Sequence, residues 1–473
     1  MLTSIQSSAA ETDSVIEQRL EGLETMGVEV CNAIENLADM LVKLQQQVSA
    51  RADTPQPPEL TKLIGRIQQL ELQAQLQSTC TDLAKTSRFY PKRASVVFVG
   101  TTYFGCNAKY GWLGFRDAAR EAGVECWFLP QTSDQEAAVQ SLGEACFPVN
   151  PNDWQARHIT AALSAAVVVT CDHLLNPNPF AASLLAGARH VQLWHGISIK
   201  EIGLGNLRPL RDMNPHIARV MATCGPFEHF IGTSAAQEPE FRRWFGLQHY
   251  APIGYPRNDV LLREPTQADL LGVDVSMLAQ ATATRRAGRR VVLYAPTFRD
   301  ARPGAWIIDA GLERLASELE KLGDTLLVAM HPVEAPLIPQ LRAAVPAARF
   351  VTPRTDLYPL MREVDVLVTD YSSIMFDFLL LDRPIALFRP DHDDYVRRSR
   401  QLHDEKLIDA KPGPLATTVN QLLKTLHQRD ARGAEHAAAR SALRERLFDH
   451  ADGSACERLN ALLFEEIERT LRA

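Results

Sequence analysis

The eight cysteines include no Cys-x-x-Cys pair, no apolar run approaches the ~20 residues that a membrane-spanning helix needs, and positive charge is not in excess. The first absence argues against a structural zinc site or a disulfide framework and predicts reduced thiols in a cytoplasmic protein. The second leaves Ile374 to Leu381 as the best apolar stretch, and it is short and carries Asp377. The third sets 50 Lys and Arg against 57 Asp and Glu, a net charge of -7, which disfavours nonspecific nucleic-acid binding. Glu11, Asp13, Glu17 and Arg19 precede any sustained apolar segment, so no signal peptide is expected. Contact with a membrane surface through a local patch stays open.

The 473 residues are enough for two or three domains. In the first ninety, Ile16, Leu20, Leu23, Gly27, Val30, Ile34, Leu37, Leu41, Leu44 and Val48 follow alternating steps of four and three, a heptad seam broken only at Gly27. Pro55, Pro57 and Pro58 stop that helix, and Leu60, Leu63, Ile67, Leu70 and Ala74 start a second stripe. The pattern predicts a helical hairpin or coiled coil over 1–90. It serves either as a cap on the next domain or as a homo-oligomer contact, and both readings stand.

From residue 94 the texture changes to short apolar runs separated by helical patterns. The runs begin at Ala94, Glu125, Ala166, His190, Arg290, Thr325, Asp365 and Pro384. Such alternation predicts an α/β protein with parallel sheets covered on both faces. The series is too long for one sheet and breaks between about 260 and 288. This predicts two doubly wound, Rossmann-like domains over 91–262 and 288–425, followed by helices over 426–473.

Open α/β sheets bind ligands beyond the carboxyl ends of their strands. There the sequence places His195-Gly196, then Ala295-Pro296-Thr297-Phe298-Arg299-Asp300, then His331-Pro332, and last Asp370-Tyr371-Ser372-Ser373 opening a helix. A helix start with two hydroxyls suits a phosphate, although Ser372 could equally be an ordinary cap. Histidine is a natural base near neutral pH, yet His195 and His331 could each be core residues bonded to a carbonyl. Arg299 could fork onto a phosphate or stand in solvent, and Asp377 could be a cap or half of an ion pair. Gly254-Tyr-Pro-Arg-Asn-Asp259 reads as a turn into a helix, with Arg257 either phosphate-facing or part of a hinge. Nothing near either histidine has zinc-ligand spacing.

Taken in order, Trp194-His-Gly-Ile-Ser-Ile-Lys-Glu-Ile-Gly203, Gly254-Tyr-Pro-Arg-Asn-Asp259, Tyr294-Ala-Pro-Thr-Phe-Arg-Asp300, His331-Pro332, Thr369-Asp-Tyr-Ser-Ser-Ile-Met-Phe-Asp377 and Arg383-Pro-Ile resemble the CDP-glycerol glycerophosphotransferases, the teichoic-acid polymerase and primase family. Ile197-Ser198-Ile199 stands where that family usually has Thr-Pro-Leu. The resemblance implies a GT-B fold with the donor in the C-terminal domain and the acceptor in the N-terminal one. It implies transfer of glycerol phosphate from CDP-glycerol to a hydroxyl of a polyol-phosphate polymer or lipid-linked primer, with release of CMP. Under it His195 is the base. His331 is the second catalytic residue, and with Ser372, Ser373, Thr297 and Arg299 it serves the donor phosphates, while Asp370 and Arg257 position the nucleotide. No cofactor is required, a loosely held Mg²⁺ is compatible, and the place of work is the cytoplasm or the inner face of the membrane. A CDP-ribitol donor, a sugar-nucleotide glycosyltransferase or epimerase, and an assembly protein with a degenerate nucleotide site are the competing expectations.

Overall fold

The computed structural model describes residues 58–172, 178–199, 201–206, 227–299, 305–398, 407, 410–428 and 435–472. Two compact units divide the chain, Met1–Thr86 and Ser87–Ala473. All five positions of the second helical stripe lie in one continuous helix, Pro58–Phe89. The heptad seam over 16–48 lies outside the described residues.

The larger unit holds two six-stranded sheets in which every recorded strand pair is parallel. The first contains β1 (Arg93–Val99), β2 (Glu125–Leu129), β3 (Ala165–Thr170), β4 (Arg189–Gln192), β5 (Phe227–Ile231) and β6 (Leu247–Ala251), in the order β2-β1-β3-β4-β5-β6. The second contains β7 (Val291–Ala295), β8 (Thr325–Val328), β9 (Arg349–Phe350), β10 (Val366–Thr369), β11 (Ile385–Phe388) and β12 (Leu415–Ala416), in the order β12-β11-β10-β7-β8-β9. Chain direction across the first sheet reverses between β1 and β3, and across the second between β7 and β10. A crevice opens at each reversal, because successive connections leave towards opposite faces.

The strands are apolar throughout because helices cover both faces. All six residues of β3 are buried, and so are all four of β10 and β11. In the helix Leu312–Lys321, Leu312, Leu315, Ala316 and Leu319 form the buried stripe, packed into the same core as Val292, Leu326 and Val328. Each leucine buried this way is worth about 1.5–3 kcal/mol.

The last helix, Ala455–Arg472, returns to the first lobe. Leu459, Leu463 and Ile467, spaced by four, pack with Phe98 and Phe115 in one core. Its start is fixed by Asp259, whose carboxylate accepts from the backbone N–H groups of Ala455 (3.0 Å) and Cys456 (2.8 Å). The motif 254–259 thus ends in a cap for a helix two hundred residues away.

Candidate active site

Two neighbouring cavities occupy the cleft between the sheets. One, of about 380 Å³, is lined by residues 194–199, 295–298, 329–332 and 371–374. The other, of about 580 Å³, reaches the ends of β1 and β3. Both are bordered by His195 and His331.

His195 sits on a loop under strain. β4 stops at Gln192, and Trp194 takes a left-handed φ of +53°, which costs a bulky L-residue about 1–2 kcal/mol. The loop is held in this shape by Leu193, whose N–H donates to Thr170 O at 2.6 Å. The Asn107 amide adds bonds to the carbonyls of Leu193 (3.3 Å) and Trp194 (2.9 Å). The Trp194 and His195 rings stack with centroids 4.1 Å apart. His195 Nδ1 lies 3.0 Å from the Cys171 carbonyl oxygen. A carbonyl only accepts, so in the neutral ring Nδ1 carries the proton and Nε2 the lone pair. His195 is exposed. Gly196 follows at φ +144°; a Cβ there would lie 3.2 Å from Arg257 Nη2 and 3.4 Å from Ser373 Oγ. Glycine therefore lets this loop rest directly against the second lobe.

His331 has the opposite polarity. Its Nδ1 accepts the Val333 N–H at 3.3 Å, which in the neutral ring leaves the proton on Nε2. Its ring lies against Phe298, centroids 4.5 Å apart, and it too is exposed. One histidine is set to take a proton and the other to donate a hydrogen bond.

Ser372 and Ser373 are half-buried on the wall of the smaller cavity. Ser373 holds the cap position of the helix Ile374–Phe378, yet its side chain makes no capping bond. Neither hydroxyl has a partner among the described residues. The helix is only five residues long, so the expected helix-start phosphate cradle reduces to the two hydroxyls themselves. Thr297 adds a third: its Oγ1 is buried without a partner among the described residues, and its residue lines the same cavity.

Asp370, Arg299 and Arg257 stand behind this wall. Asp370 Oδ1 accepts from the N–H groups of Thr297 (2.8 Å) and Tyr371 (2.6 Å), and Oδ2 pairs with Arg299 Nη1 at 2.9 Å. Arg299 grips Asp391 with Nε (2.7 Å) and Nη2 (2.8 Å) and donates to Thr297 O at 2.6 Å. Its guanidinium lies over the rings of Trp306 and Tyr395. Burial would lower its pKa, but Asp391 and Asp370 hold it above the ordinary arginine value. The expected phosphate fork is therefore already closed on carboxylates, and Arg299 and Asp370 frame Thr297. Arg257 is likewise buried. Its Nη2 pairs with Asp377 at 2.7 Å, its Nη1 donates to the His195 carbonyl at 2.8 Å, and Tyr358 Oη donates to the same Asp377 oxygen at 2.5 Å. It holds the loop that carries His195.

The sequence reading passed over Asn107, Tyr358 and Thr170, which hold the histidine loop and its arginine. None sits in a motif, since each acts through backbone or carboxylate contacts that only the fold creates. It also passed over Asp391-His392-Asp393, a short acidic pair. Asp391 is taken up by Arg299, and among the described residues no cluster of three or more His, Cys, Asp or Glu is arranged to hold a metal.

Residues 120–465 match the model of the CDP-glycerol:poly(glycerophosphate) glycerophosphotransferases, and the chain belongs to that family. A teichoic acid poly(glycerol phosphate) polymerase of Staphylococcus epidermidis is 26% identical over 296 residues, 59% of this chain and 39% of the relative. A teichoic acid ribitol-phosphate primase of Bacillus spizizenii is 26% identical over 287 residues, 57% of this chain and 67% of the relative. The chain thus spans about two-fifths of the first relative's length. The solved wall teichoic acid polymerase TagF superposes with a TM-score of 0.62 at 20% identity, covering 85% of this chain and 97% of that one, so the two share the GT-B fold.

Proposed function

We propose that the chain transfers glycerol phosphate from CDP-glycerol to a hydroxyl of a polyol-phosphate polymer or lipid-linked acceptor and releases CMP. The observation that carries this reading is the pair of oppositely polarised histidines facing one cleft, with the free hydroxyls of Ser372, Ser373 and Thr297 on the second-lobe side. The donor belongs at the reversal between β7 and β10, where those hydroxyls stand.

The acceptor hydroxyl gives its proton to His195 Nε2 as its oxygen attacks the glycerol-bearing phosphorus. The bond from that phosphorus to the bridging oxygen breaks, and the electron pair leaves with CMP. The Nε2–H of His331 and the three hydroxyls offset the charge that gathers on the departing phosphate. Such a transfer needs alignment and charge stabilisation rather than a covalent nucleophile. Arg257 keeps His195 in place through its backbone carbonyl. No described helix is long and apolar enough to cross a membrane.

Replacing His195 by Ala is expected to slow CMP release from CDP-glycerol by about 10²–10⁴-fold, the usual worth of a positioned base. Turnover within threefold of the parent would remove His195 from that role. A CDP-ribitol donor is the second reading, favoured by the ribitol-phosphate primase among the relatives. The same assay run with CDP-ribitol separates the two.

A further inference from the structure

The larger cavity of the cleft is bounded by the loop after β1 and the end of β3 on one side, and by residues 351–355 after β9 on the other. Two buried thiols stand in its first-lobe wall, those of Cys106 and Cys171. They hydrogen-bond to each other. Cys106 opens the helix Cys106–Glu121 at a left-handed φ of +61°, an uncommon conformation for a residue with a side chain. Cys171 directly follows β3. The parallel pairing of β1 with β3 brings the two cysteines together, although 65 positions separate them in the chain.

Each cysteine also touches what holds His195. Arg257 Nη1 donates to Cys106 Sγ at 3.4 Å and to the His195 carbonyl at 2.8 Å. The Cys171 carbonyl accepts the His195 Nδ1 proton. Asn107, next to Cys106, binds the Leu193 and Trp194 carbonyls with its amide and accepts the Arg257 backbone N–H at 3.2 Å. A covalent S–S bond is shorter than any contact between two thiols. Closing one here draws in Cys106 and Cys171, and with them three ties of the His195 loop.

The two thiols differ in the way such a reaction needs. The bond from Cys171 and the charge of Arg257 outweigh burial and bring the Cys106 thiol down from 9 to about 6, which makes it a thiolate at neutral pH. Burial pushes the thiol of Cys171 up, as it does those of Cys126, Cys146 and Cys456.

The geometry points to Cys106 and Cys171 as a dithiol modification site for hydroperoxides, whose closure into a disulfide displaces the His195 loop and stops transfer. With hydrogen peroxide, the Cys106 sulfur attacks one oxygen and the O–O bond breaks. The products are a sulfenic acid and hydroxide, which takes up a proton as water. The Cys171 sulfur then attacks the sulfenic sulfur, and its proton leaves with the hydroxide as a second water. Two thiols lose two electrons, one peroxide gains them, and a dithiol reductant reverses the change. The effect on transfer rests on the transferase reading above, and the disulfide itself does not.

The test treats the full chain with hydrogen peroxide and maps its peptides without reduction. CMP release from CDP-glycerol is measured before treatment, after it, and after dithiothreitol. The expected result is a peptide pair joined through Cys106 and Cys171. The rate should fall by about 10²-fold, the scale of a misplaced reacting group, and return with dithiothreitol. Cys106→Ala should form no such pair and keep its own rate within about twofold through the same treatment. Cys171→Ala should accumulate the sulfenic acid at Cys106, trapped there by dimedone. The assignment is overturned if the Cys106–Cys171 pair does not form, if the joined protein turns over as fast as the reduced one, or if Cys106→Ala loses as much activity as the parent. A parent that releases no CMP before treatment removes the transferase reading instead, and the peptide and dimedone maps still decide the thiol site.

Discussion

Two histidines of identical chemistry hold opposite tautomers because one meets a carbonyl and the other an N–H. Hydrogen-bond partners two or more residues away set that difference, so no motif could have declared it. The same scale separates two arginines from the phosphate-binding roles their positions suggest. Arg299 is enclosed by Asp391, Asp370 and two aromatic rings. Arg299→Ala is therefore expected to cost about 3–5 kcal/mol of stability, the usual price of stranding buried partners, read as a lowered denaturation midpoint. Ser373→Ala should leave that midpoint unchanged and raise the KM for CDP-glycerol several-fold. A stable Arg299→Ala protein with only a raised KM would return Arg299 to the phosphate.

At the scale of elements, the strands that were legible in the sequence are the continuous apolar runs, β1, β3, β7, β10 and β11 above all. β5 was not legible, because Glu228 and His229 interrupt its apolar run and are neutralised only by tertiary contacts. Glu228 accepts the His190 N–H, and His229 meets Glu466 of the last helix at 3.0 Å. β9 and β12 are two residues each, too short to carry a period. The site loops were legible where they follow apolar strands, while the loop after β9, which carries Arg354, follows no readable strand.

The contact between Glu466 and β5 also makes helix docking pH-sensitive. Burial pushes the Glu466 carboxyl up, but hydrogen bonds from Arg189 and His229 outweigh it and leave the pKa below the usual 4.5. Burial lowers His229 below 6.5 by more than Glu466 raises it. In both cases the unfolded chain binds more protons across the window. Stability is thus lost first as pH falls below 6.5 through the His229 value, then below 4.5 through the Glu466 value. Glu466→Gln should be less stable than the parent at pH 7, and the gap should close as pH drops below 4.5. Denaturation midpoints across pH 3–7 check this, and a gap that is constant with pH would contradict it.

At the scale of the molecule, two buried ion pairs join the lobes: Arg257 with Asp377, and Lys109 with Asp356. Lys109 is fully enclosed, and its three donors reach the carbonyls of Asp269 and Leu271 (2.7 Å each) and Asp356 Oδ2 (2.8 Å). Replacing it by Met strands a carboxylate and should cost about 3–5 kcal/mol, while the double change with Asp356→Asn should cost less. Equal losses would mean that the pair does not couple the lobes. These links hold the His195 loop of one lobe against the serines of the other.

The proposed transfer breaks the bond from the glycerol-bearing phosphorus of the donor to the bridging oxygen. It is tested by incubating the full chain with CDP-glycerol and oligo(glycerol phosphate) and identifying the nucleotide released. One CMP for each glycerol phosphate added is the expected result. Release of CDP, or turnover with a UDP-sugar and none with a CDP-alcohol, would contradict it.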